Sequence, residues 1–170
     1  MARIARSTEL PGPISAAEEL WYDLRRRPSF VEGFGHVAKV DGDWPRPGSR
    51  VVWDAPPQGR GRVVETVDAF EARAGQTVHV EDGQLRGIQT TTFAPTGDSP
   101  SDTGGTLVGT GGLVRVTVVF DWELKEGNVV TDWLVVRRKI GESLRRTLVK
   151  YRIERLADLD DERALRADAP

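Results

Sequence analysis

The chain contains no cysteine and only two histidines, His36 and His79. Without thiols there is no disulfide framework, no thiolate zinc site and no cysteine nucleophile. Two histidines so far apart in sequence do not suggest a His-rich centre, and no metal site is expected. Neither sign of charge dominates. The 24 basic and 26 acidic residues leave a net charge of −2, which gives no global case for nucleic-acid binding. No apolar run is long enough to span a bilayer, and the opening "MARIARSTELPG" lacks the apolar core of a secretory signal. A cytoplasmic protein is therefore expected. Familiar catalytic signatures are missing as well. The "GTGG" at 109–112 is not followed by the Lys-Ser or Lys-Thr of a phosphate loop, and there is no Gly-x-Ser-x-Gly elbow. No cofactor is expected.

What is present points to one domain. A chain of 170 residues can bury about 70% of its unfolded surface and needs no covalent staples. The clearest element is "LVRVTVVFDWEL", residues 113–124. Its apolar residues alternate with polar ones along the whole run, the period of a half-buried strand. Earlier runs of the same kind cover 35–41, 49–54, 61–71, 76–82 and 85–94, each followed by turn residues. Residues 2–7 read as a first strand, broken by "ELPGP". Ser15 then opens a helix, with Glu18 at capping-box spacing. Pro28 starts a second short helix, "PSFVEGF". The polar, glycine-rich stretch at 95–112 reads as a surface loop and a candidate lid.

After "KEGN" the period changes. Trp133, Val136, Ile140, Leu144, Leu148, Tyr151 and Leu156 recur at threes and fours, one face of a long helix over about 131–159. Arg137, Arg138, Lys139, Arg145, Arg146, Lys150, Arg152 and Arg155 form its basic side, with a solvated face as the plain reading and a phosphate or acidic-lipid contact as the sharper one. Residues 1–160 thus form a single domain, and 161–170 a charged tail expected to fray. Short connections imply an antiparallel meander. Such a sheet can bury its apolar face only by wrapping around the one long helix, an α+β arrangement.

This order resembles the helix-grip fold of the START-related and pollen-allergen-like superfamily. "ISAAEELWYDLRRRPSF" resembles the first helix of its bacterial polyketide cyclase/dehydrase-like branch. "RPGSRVVWD", "GRVVETVDAFE" and the "GGT" at 104–106 resemble its third strand, fourth strand and late turn. The superfamily includes lipid carriers, hormone receptors and aromatic-ring cyclases. The resemblance therefore implies a curved sheet of about seven strands around a C-terminal helix. It also implies a hydrophobic small-molecule ligand held between them. A monomer or homodimer is expected, an exposed sheet edge being the route to a dimer.

Alternation selects the residues facing that space: Trp53, Val67, Gln89, Thr91, Phe93, Val118, Phe120 and Trp122 from strands, Trp133 and Ile140 from the helix. Polar groups there cost free energy unless paired, so they are the candidates for a task. Glu65 shares its side with Val63 and Val67. It is a candidate acid or base unless an arginine pairs it or a bulge turns it outward. Gln89 and Thr91 could hydrogen-bond a ligand oxygen. His36, near the expected mouth, is the second candidate for proton transfer. Three readings follow: a binding protein for a lipid or polyketide-like molecule, a cyclase/dehydrase-type enzyme using the same space, or a structural or regulatory domain whose interior is filled.

Overall fold

A computed structural model describes residues 1–96, 112–125 and 130–167, with side chains from 133 onward in the last stretch. The elements follow in the order β1 (Ala2–Pro11), α1 (Ile14–Tyr22), α2 (Arg27–Phe30), β2 (His36–Asp41), β3 (Arg50–Asp54), β4 (Arg62–Glu71), β5 (Gly75–Glu81), β6 (Leu85–Thr96), β7 (Leu113–Leu124) and α3 (Val130–Ala167). The strands form one antiparallel sheet in the order β1-β7-β6-β5-β4-β3-β2. Only β1 leaves chain order, and it pairs along its full length with β7. This is a helix-grip fold. The sheet's inner face carries the apolar half of each alternating strand, and α3 covers it. One core cluster lies around Trp53, Phe120 and Trp122, and a second around Trp21, Phe30 and Tyr151.

Several local expectations are corrected. Ser15 and Glu18 form no capping box: α1 begins at Ile14 with Pro13 as its extended N-cap and no side-chain cap bond. Glu18 instead accepts the backbone N–H of Arg73 at 2.6 Å. Its carboxylate thus ties α1 to a residue of the β4–β5 turn whose φ is 66°. Strand β1 continues through Pro11, because an edge strand tolerates a residue without an N–H. The second helix ends at Phe30, since Val31 is already extended.

In α3 the buried face includes Arg155 rather than Leu156, which is exposed. Arg155 donates to the Pro11 carbonyl at 3.2 Å and to Glu162 at 2.9 Å. It packs so closely on Gly12 that a Cβ there would stand 2.6 Å from its Nη2, and Gly12 has a φ of 109°, which favours glycine. Arg155 is thus a buried tie between the helix and the end of β1, not part of the solvated basic side. The helix also runs on past 159 to Ala167, with every described residue from Asp160 onward exposed. The expected surface loop falls largely at 97–111, outside the described residues.

Candidate functional site

Strand β4 places Val63, Glu65 and Val67 on its inner face, all buried. A register shift occurs between Val67 and Ala69, beyond Glu65, so the carboxylate keeps its inward direction. Burial of a lone carboxylate would cost several kcal/mol, on the order of that found for unpaired interior charges. Arg27 removes this cost. From the first residue of α2, its Nη1 donates to Glu65 Oε2 at 2.7 Å. Trp53 Nε1 donates to Oε1 at 2.9 Å, so both carboxylate oxygens are engaged. The guanidinium lies 5.1 Å from the ring centre of Trp44, in cation–π geometry. Trp44 in turn donates its indole N–H to the Tyr22 carbonyl at 3.0 Å. Arg27 Nε is buried without a partner among the described residues. Sequence analysis foresaw the inward Glu65 and allowed for an arginine but did not identify Arg27.

Two cross-strand rows pass the centre of the sheet. One runs Val51, Glu65, Val80, Gly87, Trp122, Ala2. The next includes Val67, Val78, Gln89, Phe120 and Ile4. Gln89 therefore points inward between Val78 and Phe120, both buried. Yet it is only half-buried itself, and its carboxamide makes no hydrogen bond among the described residues. Diagonally across, Trp122 Nε1 is sealed from solvent and also lacks a partner among the described residues. Gly87 fits between them because a Cβ there would collide with the Asp121 carbonyl and come within 2.8 Å of the Phe120 ring. The helix closes this region with Trp133, whose ring stacks on Trp122 at 6.5 Å, and with half-buried Val136 and Ile140.

The remaining predicted residues divide. Trp53, Val67, Phe120 and Trp122 share the first core cluster, against which Trp133 and Ile140 pack. Phe93 and Val118 belong to the second, on the α1 side. Thr91 is buried between Gln76 and Val118, next to Gln89 along β6. His36 is not brought to this group. It lies exposed on edge strand β2, with Nε2 3.7 Å from Asp54 Oδ2. Asp54 is itself held by Arg62 at 2.9 Å, which keeps its carboxyl below the usual range.

Tyr22 was not singled out by the sequence. Its ring meets Phe70 and Phe93 edge-on at 5.4 and 6.1 Å. Its hydroxyl is sealed without a partner among the described residues, and burial pushes the phenol well above its ordinary range. The adjacent Trp21–Tyr22 pair at the end of an amphipathic helix was the available signal. The interior thus holds mostly rings and a few polar atoms with unused capacity. Trp122 Nε1, Tyr22 O–H and Arg27 Nε can all donate, and the Gln89 amide can donate or accept. Such a set suits an apolar molecule bearing acceptor oxygens. The described open clefts lie on the surface, including one along β1 and α3.

No family model and no curated relative matches the chain. Solved structures do. A protein from Thermus thermophilus superposes with a TM-score of 0.65 at 17% identity, covering 92% of this chain and 99% of that one. A START superfamily protein from Mycobacterium smegmatis gives 0.62 at 14% identity, covering 91% and 98%. A truncated norcoclaurine synthase from Thalictrum flavum gives 0.61 at 11% identity, covering 89% and 91%. At these identities the likeness is one of fold, and it agrees with the helix-grip architecture. No helix among the described residues is long and apolar enough to cross a membrane.

Proposed function

We propose that the protein binds a lipophilic small molecule, a lipid or polyketide-like compound with carbonyl or hydroxyl oxygens, between the sheet and the first half of α3. The inward, half-buried and unpartnered carboxamide of Gln89 carries this reading. Its amide sits beside buried valine and phenylalanine yet keeps partial access to water, which a ligand oxygen could replace. The neighbouring indole N–H of Trp122 repeats the signal. Trp133, Val136 and Ile140 are less deeply buried than Leu148 and Tyr151 further along α3. The first half of the helix is therefore the part that yields to admit a ligand.

A cyclase/dehydrase-type enzyme in the same space is the second reading, favoured by the buried, inward-facing carboxylate of Glu65. There Glu65 would exchange its bond to Arg27 for one to substrate. Native mass spectrometry of gently purified protein, with the released molecules identified, tests the binding reading. A stoichiometric lipophilic adduct that disappears in Gln89→Leu supports it. An adduct-free protein that also fails to retain added lipids or aromatic polyketides defeats it. Conversion of a retained polyketide, abolished in Glu65→Gln while retention persists, would establish the enzymatic reading instead.

A further inference from the structure

Between edge strand β1 and α3 runs a cleft of about 830 Å³ whose walls carry six arginines, Arg3, Arg6, Arg137, Arg138, Arg145 and Arg146, against one carboxylate, Glu142. The charge does not cancel locally. Glu142 is held at 2.7 Å by Arg145 and 3.0 Å by Arg146, and these bonds lower its carboxyl to about 2. Arg138 stands one turn before Glu142, at the spacing of a helical ion pair, but the carboxylate turns the other way. Among the described residues Arg6, Arg137 and Arg138 have no ion-pair partner.

Arg6 is the telling member. It lies opposite the buried Val118 on β7, on the inward side of β1. An inward charge on an edge strand discourages pairing with a further strand, yet this one is also given room by α3. Gly141 sits mid-helix, where glycine costs about 1 kcal/mol relative to alanine. A Cβ there would stand 3.3 Å from Arg6 Nη2 and 3.8 Å from Ile4 Cδ1. The helix thus approaches the strand closely, and the Arg6 guanidinium, still exposed, lies beside Gly141. Arg6 Nη1 donates to the Ala5 carbonyl at 2.8 Å, which fixes the group further.

The structure assigns this cleft as a binding site for phosphate groups, separate from the interior region around Gln89. Guanidinium forks match phosphate oxygens two at a time, and three without a carboxylate partner among the described residues, one of them (Arg137) over the Trp133 ring, favour a multiply charged anion. The phosphates of a soluble metabolite and the headgroup of an acidic phospholipid share this chemistry.

Titration calorimetry with inorganic pyrophosphate at low ionic strength, and sedimentation with phosphatidic acid vesicles, test the assignment and separate the sources. Saturable pyrophosphate binding, weakened about tenfold in Arg6→Gln and in Arg138→Gln as loss of a charge-assisted bond implies, supports a soluble phosphorylated ligand. Vesicle binding alone with the same dependence supports the lipid headgroup. Arg86→Gln, on an exposed arginine paired to Glu123 on the outer face, should bind as wild type in either case. Binding indifferent to Arg6 and Arg138, or absent with both probes, overturns the assignment. So does arginine-dependent binding of a single-stranded oligonucleotide with neither phosphate probe bound.

Discussion

Arg27 and Glu65 meet at 2.7 Å in the interior, one from the start of α2 and the other from the middle of β4, 38 residues apart in sequence. With side chains only 3% and 8% exposed, neither can turn to water if the other is lost. Removing one partner of such a pair strands a charge and typically costs about 3–5 kcal/mol. Arg27→Met should therefore destabilise the fold by that order in urea unfolding. Arg27→Met combined with Glu65→Leu should recover most of the loss, since apolar replacements of similar size often substitute well for a buried pair. Equal destabilisation by the single and double variants would mean that the pair does not act as a unit.

Tyr22 allows a test of opposite sign. Its hydroxyl is buried without a bond among the described residues, so Tyr22→Phe removes a polar atom that gains nothing from burial. Thermal unfolding of that variant should match or exceed wild type. If the hydroxyl faces a bound ligand, retention should fall at the same time. A clear loss of stability would show that the hydroxyl has a partner in the folded protein.

The same phenol sets a pH dependence. The chain has two tyrosines, Tyr22 and Tyr151, and burial raises both above the ordinary value of 10.0. A raised group holds its proton more tightly folded than unfolded. Its contribution is complete below the unfolded value and is lost as pH climbs above it. Stability should thus decline above about pH 10, and phenolate absorbance should appear together with unfolding. Phenolate absorbance near pH 10 in the folded protein would mean that a tyrosine is open to water.

Gly12 tests the corner between β1 and α1. Its φ of 109° and the nearby Arg155 guanidinium both oppose a side chain. Gly12→Ala should destabilise by about 1–3 kcal/mol, the range for strained backbone conformations. Arg155→Ala would relieve the crowding but leave the Pro11 carbonyl without this donor. Its own cost should therefore differ from that of the glycine variant in a double-mutant cycle.

The strands were legible because alternation is a local signal. Leu113–Leu124 was located from its pattern alone, and the inward directions of Glu65, Gln89 and Trp122 follow from the same count. The partner of Glu65 was not legible, since no local period connects Arg27 to a strand 38 residues away. Arg155 and Leu156 exchanged places for a related reason. A long basic helix suggests a solvated face, and only the position of Pro11 reveals where an arginine is needed inside. Tyr22 escaped notice because Trp21 already accounted for the apolar stripe of α1.

The central claim is that Gln89 and Trp122 face a ligand. Nitrogen-15 NMR of the Gln89 carboxamide and the Trp122 indole, during titration with a neutral hydroxyanthraquinone and then a monoacylglycerol, tests it most directly. The account predicts that at least one of these ligands shifts both signals saturably, with the Trp133 indole moving too as α3 yields. Ligand binding that shifts only surface signals, while Gln89 and Trp122 stay fixed, would contradict it.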